Sequence, residues 1–500
     1  MGALYLILAL IFTPAYAQSA SISNWAPCGG AIDGTAGVAN AFRAAHNNAF
    51  TLIVDCPILL NINSDVAKPI FIDNGTSIQF TAGGKFIINN VFVPAFVLAN
   101  TTGVTLNNWN ISYTGSIPVN PVTGGVYLNG VWYPEPGNYP SIYIFNNTTM
   151  RSWLATNRGI TFSASDPGSY SDPLASAINV SALFYFIGST SNINITNMKI
   201  SVPASATANA YIPVAFNFYL GYNSNTSAVD PGPAGDWAGV KSSLSVPNDL
   251  HFSHITLDGY YTGFQGTVRN STFDHIVAYR YGDLQDSSGA NVGGIGKWSP
   301  PPHLFYLTTV NGIPTLDPDL GPANIHITNI LDEGIRTGIA RDTLADNPNN
   351  ITGYINSLKI GGTNVFVTNY TSLRPDGLLD VLDCNGLTLT NLRGVYSSDF
   401  LNDLWSGVRF PGITSYTNLT IHGLSLTDTS PNPYINSPPN GAGGTGRIPF
   451  GGKNLPADSN ITFTDVSVNL AQWSNAWTVT PVFTGTGNST NINFIYRSTP

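Results

Sequence analysis

The feature that most restricts how this chain can fold is a nine-residue frame that keeps returning. Aligned on their apolar positions, VTLNNWNIS (104–112), INITNMKIS (193–201), LHFSHITLD (250–258), IHITNILDE (325–333), LTLTNLRGV (387–395), LTIHGLSLT (419–427) and ITFTDVSVN (461–469) share one pattern. An eighth copy, TFDHIVAY (272–279), fits with one residue missing at its start. Each copy reads as an alternating strand, a two-residue corner and a second alternating strand. The second corner residue is Asn108, Asn197, His254, His275, Asn329, Asn391, Gly423 or Asp465. All are types enriched at positive φ, where other side chains clash with the backbone. The alternation continues past the corner at the same amplitude, with no charged outward face. The chain therefore bends between two sheets rather than reversing in a hairpin.

Units of this kind cannot bury their apolar faces alone, so they must stack, which predicts a solenoid. Starts of successive copies lie 89 residues apart between 104 and 193 but 32 apart between 387 and 419. Some coils must carry long excursions, expected near 114–172, 202–248, 283–322 and 428–456. The Pro- and Gly-rich stretches are read as loops from coils, because composition does not shift around them. One segment reads as helix, Gly37 to Asn47, with Val38, Ala41, Phe42 and Ala45 on one face and Thr35 upstream as its cap. Residues 18–500 are read as a single domain.

Residues 1–17 combine an apolar run with an Ala15-Tyr16-Ala17 ending and read as a secretory signal peptide, which predicts an extracellular, secreted mature protein. No later apolar run is long enough for a spanning helix, so no membrane partner is expected. Of three cysteines, Cys28 and Cys56 flank the first folded segment and are read as a disulfide, leaving Cys384 as a buried thiol in LLDVLDC. Only 9 % of residues are charged and the formal net charge is -9, with 19 Lys and Arg in all. That balance excludes a broad basic face for nucleic acid. An acidic ligand must be met by a few placed cations.

With the repeat and the opening GGAIDGTAGVANAFRAAHNNAFTLIVDCPILL in view, the chain resembles the right-handed parallel β-helix of the pectin-lyase-like superfamily. The opening is similar to that group's Asp-Gly-Thr start, capping helix and first strand. The resemblance implies an all-β, right-handed parallel β-helix with a short N-terminal capping helix, acting on polysaccharide as a lyase or hydrolase. Polygalacturonase-like members carry Asn-Thr-Asp, Asp-Asp, Gly-His-Gly and Arg-Ile-Lys motifs. None of these strings occurs here, so no residue roles transfer.

The densest chemistry falls in YRYGDLQDSSGANVGGIGKWSPPPHLFYL (279–307), which gathers Asp283, Asp286, Lys297, Trp298, His303 and Tyr306. If corners stack, Asp258, Tyr260 and Tyr261 line up with Tyr279, Arg280, Tyr281 and Asp283, and with Asp332, Glu333 and Arg336, along one coil edge. Sugar rings stack on aromatic faces and bond to carboxylate and guanidinium groups, so a polysaccharide suits this inventory. His254 and His275 occupy corners; His303 alone falls outside every repeat role and is read as a loop residue.

Two chemistries stay open. A lyase needs a base for the proton α to a uronate carboxylate, a cation on that carboxylate and an acid for the leaving oxygen. His303 or Lys297, Arg280 or Arg336, and Tyr281 or Tyr306 are the candidates. A hydrolase needs two carboxyls, for which Asp283 with Asp332 or Glu333 is the candidate pair. Trp298, Tyr306 and Asp286 are read as substrate-binding. The competing class is a non-catalytic glycan-binding or adhesion protein. Asp376, Asp380 and Asp383 read first as groups satisfying backbone inside the coil; they offer oxygen ligands for Ca²⁺, but no Ca²⁺ loop pattern accompanies them. No cofactor is expected, and a monomer is.

Overall fold

The computed structural model describes residues 18–61, 70–88, 95–114, 126–128, 131–133, 182–202, 212–222, 241–242, 244–280, 303–309, 313–335, 356–373, 377–396, 407–410, 415–428, 450–453, 460–469, 482–484 and 492–496. Within them, 26 strands join into one sheet, and every pairing in that sheet is parallel. Parallel neighbours that follow one another along the chain make a coil, so the architecture is a parallel β-helix. Two short antiparallel pairs, Val126–Leu128 with Val131–Tyr133 and Gly221–Tyr222 with Leu244–Ser245, stand apart from it.

The coils turn where the repeat predicts. Asn108, Asn197, His254, His275, Asn329, Asn391, Gly423 and Asp465 all have φ between 53° and 69°. Asn369, at φ 57°, adds a coil that the repeat alignment does not contain. A second left-handed position lies five residues earlier in most coils, at Gly103, Asn192, Asp249, Asn270, Asn324, Asn364, Gly386 and Asn418. Each coil thus has a four-residue strand held between two corners. Side-chain amides stack from coil to coil along both corners: Asn391 Nδ2 donates to Asn369 Oδ1 at 3.1 Å and Asn369 Nδ2 to Asn329 Oδ1 at 3.0 Å. On the other corner Asn364 reaches Asn324, and Asn324 reaches Asn270.

Inward residues build the core. Phe96, Phe184, Phe216, Phe264 and Phe305, one per coil, stack with centroids 4.9 to 5.2 Å apart and ring planes within 24°. That spacing is the distance between neighbouring strands, ~4.8 Å. The helix Thr35–Asn48 closes the N-terminal end and sets Phe42 on Phe86, Phe96 and Trp109. Its buried face holds Val38, Ala41, Phe42 and Ala45. Thr35 is not the cap but the first helical residue; the N-cap is Gly34, and Asp33 Oδ1 just before it accepts the Thr35 amide at 3.0 Å, the Thr35 hydroxyl at 2.6 Å and the Asn61 amide at 3.1 Å. A carboxylate accepts more donors than a hydroxyl and favours the positive end of the helix. Cys28 and Cys56 form a disulfide, and Cys384 is buried as a free thiol.

The expected excursions need correction. Ile212–Tyr219, Phe305–Leu307 and Phe450–Lys453 lie inside segments read as loops, yet each is a full member of the parallel sheet. They are strands without the Asn or His corner that marks the repeat. No helix among the described residues is long and apolar enough to cross a membrane.

Candidate functional site

The strand pairings bring one outward position per coil into a single row. Val97, Tyr185, Asn217, Gln265, Tyr306, Lys359, Asp380, Arg409 and Gly451 are successive register partners. Each of Tyr185, Asn217, Tyr306, Lys359, Asp380 and Arg409 is flanked by two buried apolar residues, for instance Phe305 and Leu307 around Tyr306. Alternation therefore puts these side chains on the outer face, above the phenylalanine stack. Tyr185 and Asn217 are buried there, whereas Gln265, Tyr306, Lys359 and Arg409 are half-buried.

The chemistry concentrates in the middle of the row. Lys359 Nζ lies 4.4 Å from the centre of the Tyr306 ring and donates to its hydroxyl at 3.4 Å. One coil further, Arg409 grips buried Asp380 with two parallel bonds, Nε to Oδ1 at 2.7 Å and Nη2 to Oδ2 at 2.5 Å. This fork is the strong form of the carboxylate–guanidinium pair. The Lys359 charge is held over an aromatic face.

A second cluster lies on the coil edge. Asp258 and Tyr279 are register partners, and Glu333 follows Asp332, whose partner is Ala278. The Tyr279 hydroxyl is held above the usual phenol range, first by burial and then by the charges of Glu333 and Asp258. The tyrosine thus sits between two carboxylates on neighbouring coils, two coil steps or about 9.6 Å apart along the axis.

The residues expected from sequence separate into four groups. Tyr306 and Glu333 stand on the outer surface of the coils as described. Asp332 and His303 do not: both are completely buried. Asp332 points into the coil and accepts bonds from the Tyr260 hydroxyl at 3.2 Å and from Ser357 Oγ at 2.5 Å, so it cannot flank a glycosidic bond. His303, just before the strand Phe305–Leu307, is not exposed as a surface-loop residue would be. Its carbonyl accepts the Gly263 amide at 2.9 Å and its ring packs 4.9 Å from that of Tyr306, which makes it part of the coil wall. Arg280 pairs through its backbone with Tyr260 and Ile335. Tyr281, Asp283, Asp286, Lys297, Trp298 and Arg336 lie outside the described residues, as do Arg374 and Asp376.

Of the acidic set, Asp383 accepts the Ser415 amide at 2.7 Å, as a backbone-satisfying role requires. Asp380 serves Arg409 instead. Sequence reasoning passed over Lys359 and Arg409. The available signal was their rarity: each is a cation between two apolar residues, in LKI and VRF, where a core strand would have a neutral residue.

No family model matches the sequence, and no curated protein matches it. Among solved structures the chain has distant likenesses in fold. The A-module of the mannuronan C-5 epimerase AlgE4 from Azotobacter vinelandii is 9 % identical, with 96 % of this chain and 100 % of that one covered and a TM-score of 0.36. An exopolygalacturonase from Thermotoga maritima is 10 % identical, with 94 % and 92 % covered and a TM-score of 0.37. PfbA, a surface adhesin of Streptococcus pneumoniae, is 7 % identical, with 96 % and 91 % covered and a TM-score of 0.37. These likenesses say nothing of activity; the fold stands on the chain's own strand registers.

Proposed function

We propose that this chain is a secreted protein that lays an acidic polysaccharide along its outer row and cleaves it by β-elimination. The observation that carries the reading is the Lys359 ammonium seated on Tyr306, next to the Asp380–Arg409 fork. Lys359 holds the uronate carboxylate and so favours the carbanion that forms when the α proton leaves. Tyr306, in contact with that cation, takes the α proton and returns it to the leaving glycosidic oxygen as the C–O bond breaks and the C=C bond forms. Arg409 keeps its outer edge for a neighbouring sugar while Asp380 fixes its plane. The Cys28–Cys56 disulfide supports an oxidising compartment and thus the export reading. The sheet runs from Ser19 to Tyr496, which supports one domain, and a monomer suffices for a site built from one chain's coils.

A second reading has its own observation. Asp258 and Glu333 flank Tyr279 from neighbouring coils, and a pair of carboxyls at one place is what hydrolysis at the coil edge needs. Incubation with a panel of acidic and neutral polysaccharides separates the readings. Products with the ultraviolet band of an unsaturated sugar, lost in Lys359→Met, are expected. New reducing ends without that band, lost in Glu333→Gln, establish hydrolysis instead. Saturable binding with no shortening of any chain leaves a glycan-binding or adhesion protein.

A further inference from the structure

Inside the coil, directly behind the outer row, lies a polar group of residues that packing alone does not require. The inward row Ile200, Leu257, Ala278, Asp332, Ser372, Gly394 follows strand register, and Asp332 interrupts it with a carboxylate. Asp332 accepts from Tyr260 and from Ser357 Oγ, and Ser357 Oγ also meets the Tyr370 hydroxyl at 2.7 Å. All four residues are completely buried. Burying a carboxylate is costly unless its bonds are made, and such networks specify one arrangement of their neighbours.

What this network specifies is visible one bond away. The Ser357 carbonyl accepts the Leu304 amide at 2.9 Å, and the ladder then continues with Phe305 beside Leu358 and Tyr306 beside Lys359. A slip of one residue in this ladder would turn Lys359 into the core and Leu358 outward. We infer that Asp332 is a positioning residue for the Tyr306–Lys359 pair: by fixing Ser357 it sets the register at which lysine and tyrosine meet. The inference rests on the proposed role of that pair, but the ladder it governs can be read independently.

The test compares wild type with Asp332→Asn and Ser357→Ala, and with Ser357→Thr, which keeps the hydroxyl. Amide hydrogen exchange resolved at Leu304 and Phe305 is the first readout. The inference expects exchange there to quicken by ~10-fold or more in Asp332→Asn and Ser357→Ala, with distant coils such as 193–201 unchanged, and to return toward wild type in Ser357→Thr. Affinity for sodium polygalacturonate or alginate is the second readout, expected to weaken by ~10-fold in both disrupting variants while the Asp380–Arg409 coil keeps its exchange rates. Unchanged exchange at Leu304, or an increase shared equally by all coils, overturns the positioning role. If Asp332→Asn does not fold, Ser357→Ala carries the comparison, since it removes one hydroxyl and no charge. Quickened exchange with polysaccharide binding that Lys359→Met also leaves untouched would retain Asp332 as the register residue and discard the proposed function instead.

Discussion

Replacing Asn369 by Ala and, separately, by Gly isolates what holds the corners of this coil. Asn369 sits at φ 57°, donates to Asn329 Oδ1 at 3.0 Å and accepts from Asn391 Nδ2 at 3.1 Å. Alanine meets the left-handed penalty of ~1 kcal/mol that asparagine largely escapes. It also loses two exposed hydrogen bonds worth ~0.5 kcal/mol each, the lower end of their range because water replaces the lost partners. The expected cost is about 2 kcal/mol. Glycine loses the same two bonds but takes the positive φ freely, so about 1 kcal/mol is expected. Urea unfolding followed by circular dichroism reads both, compared as midpoints at equal slope. Should Ala cost no more than Gly, backbone conformation is not what selects asparagine there, and the argument that located all the corners is wrong.

Three further outcomes follow from burial and charge. His303→Ala should lower stability by about 2 kcal/mol or more, because it empties a fully buried site against Tyr306; a thermal midpoint equal to wild type would restore the loop reading. Burial alone would raise the Asp274 carboxyl, but bonds from Thr328, His275 and Asn329 and the charge of His275 bring it down to about 2. A depressed carboxyl contributes stability above its unfolded value near ~3.9 and loses it as pH falls toward 2. Asp274→Asn should therefore flatten acid unfolding in that window, modestly because the group is part-exposed; identical acid profiles would contradict the assignment. Burial, with a smaller effect of Asp383, pushes the Cys384 thiol up to about 12, so iodoacetamide should label one cysteine per chain only after denaturation, and labelling of the native protein at pH 8 would refute its burial.

The coil was legible because its corners demand a backbone state that few residue types tolerate. All eight corner residues read from sequence take it. The companion corner five residues upstream went unread, since Asn and Gly are common enough here that a second column does not stand out without strand boundaries. The coil at 365–373 escaped alignment because Phe366 occupies an outward slot and is 38 % exposed, which breaks the apolar alternation. Asp332 was misplaced by the same logic. Its position in the frame is inward, and a carboxylate there was read as edge chemistry rather than as an internal hydrogen-bond acceptor. The outer row was out of reach of sequence. Gln265, Tyr306, Lys359, Asp380 and Arg409 are 41, 53, 21 and 29 residues apart, so only the strand registers bring them together.

Oxidative footprinting read by mass spectrometry, with and without saturating acidic polysaccharide, tests the location of the site most directly. Tyr306 on the outer row and Tyr279 on the coil edge are two half-buried tyrosines of one chain, so each serves as the control for the other. Protection of Tyr306 that rises with ligand and vanishes in Lys359→Met, with Tyr279 unchanged, is the predicted result. Protection of Tyr279 alone would move the site to Asp258 and Glu333 and contradict the assignment of the row.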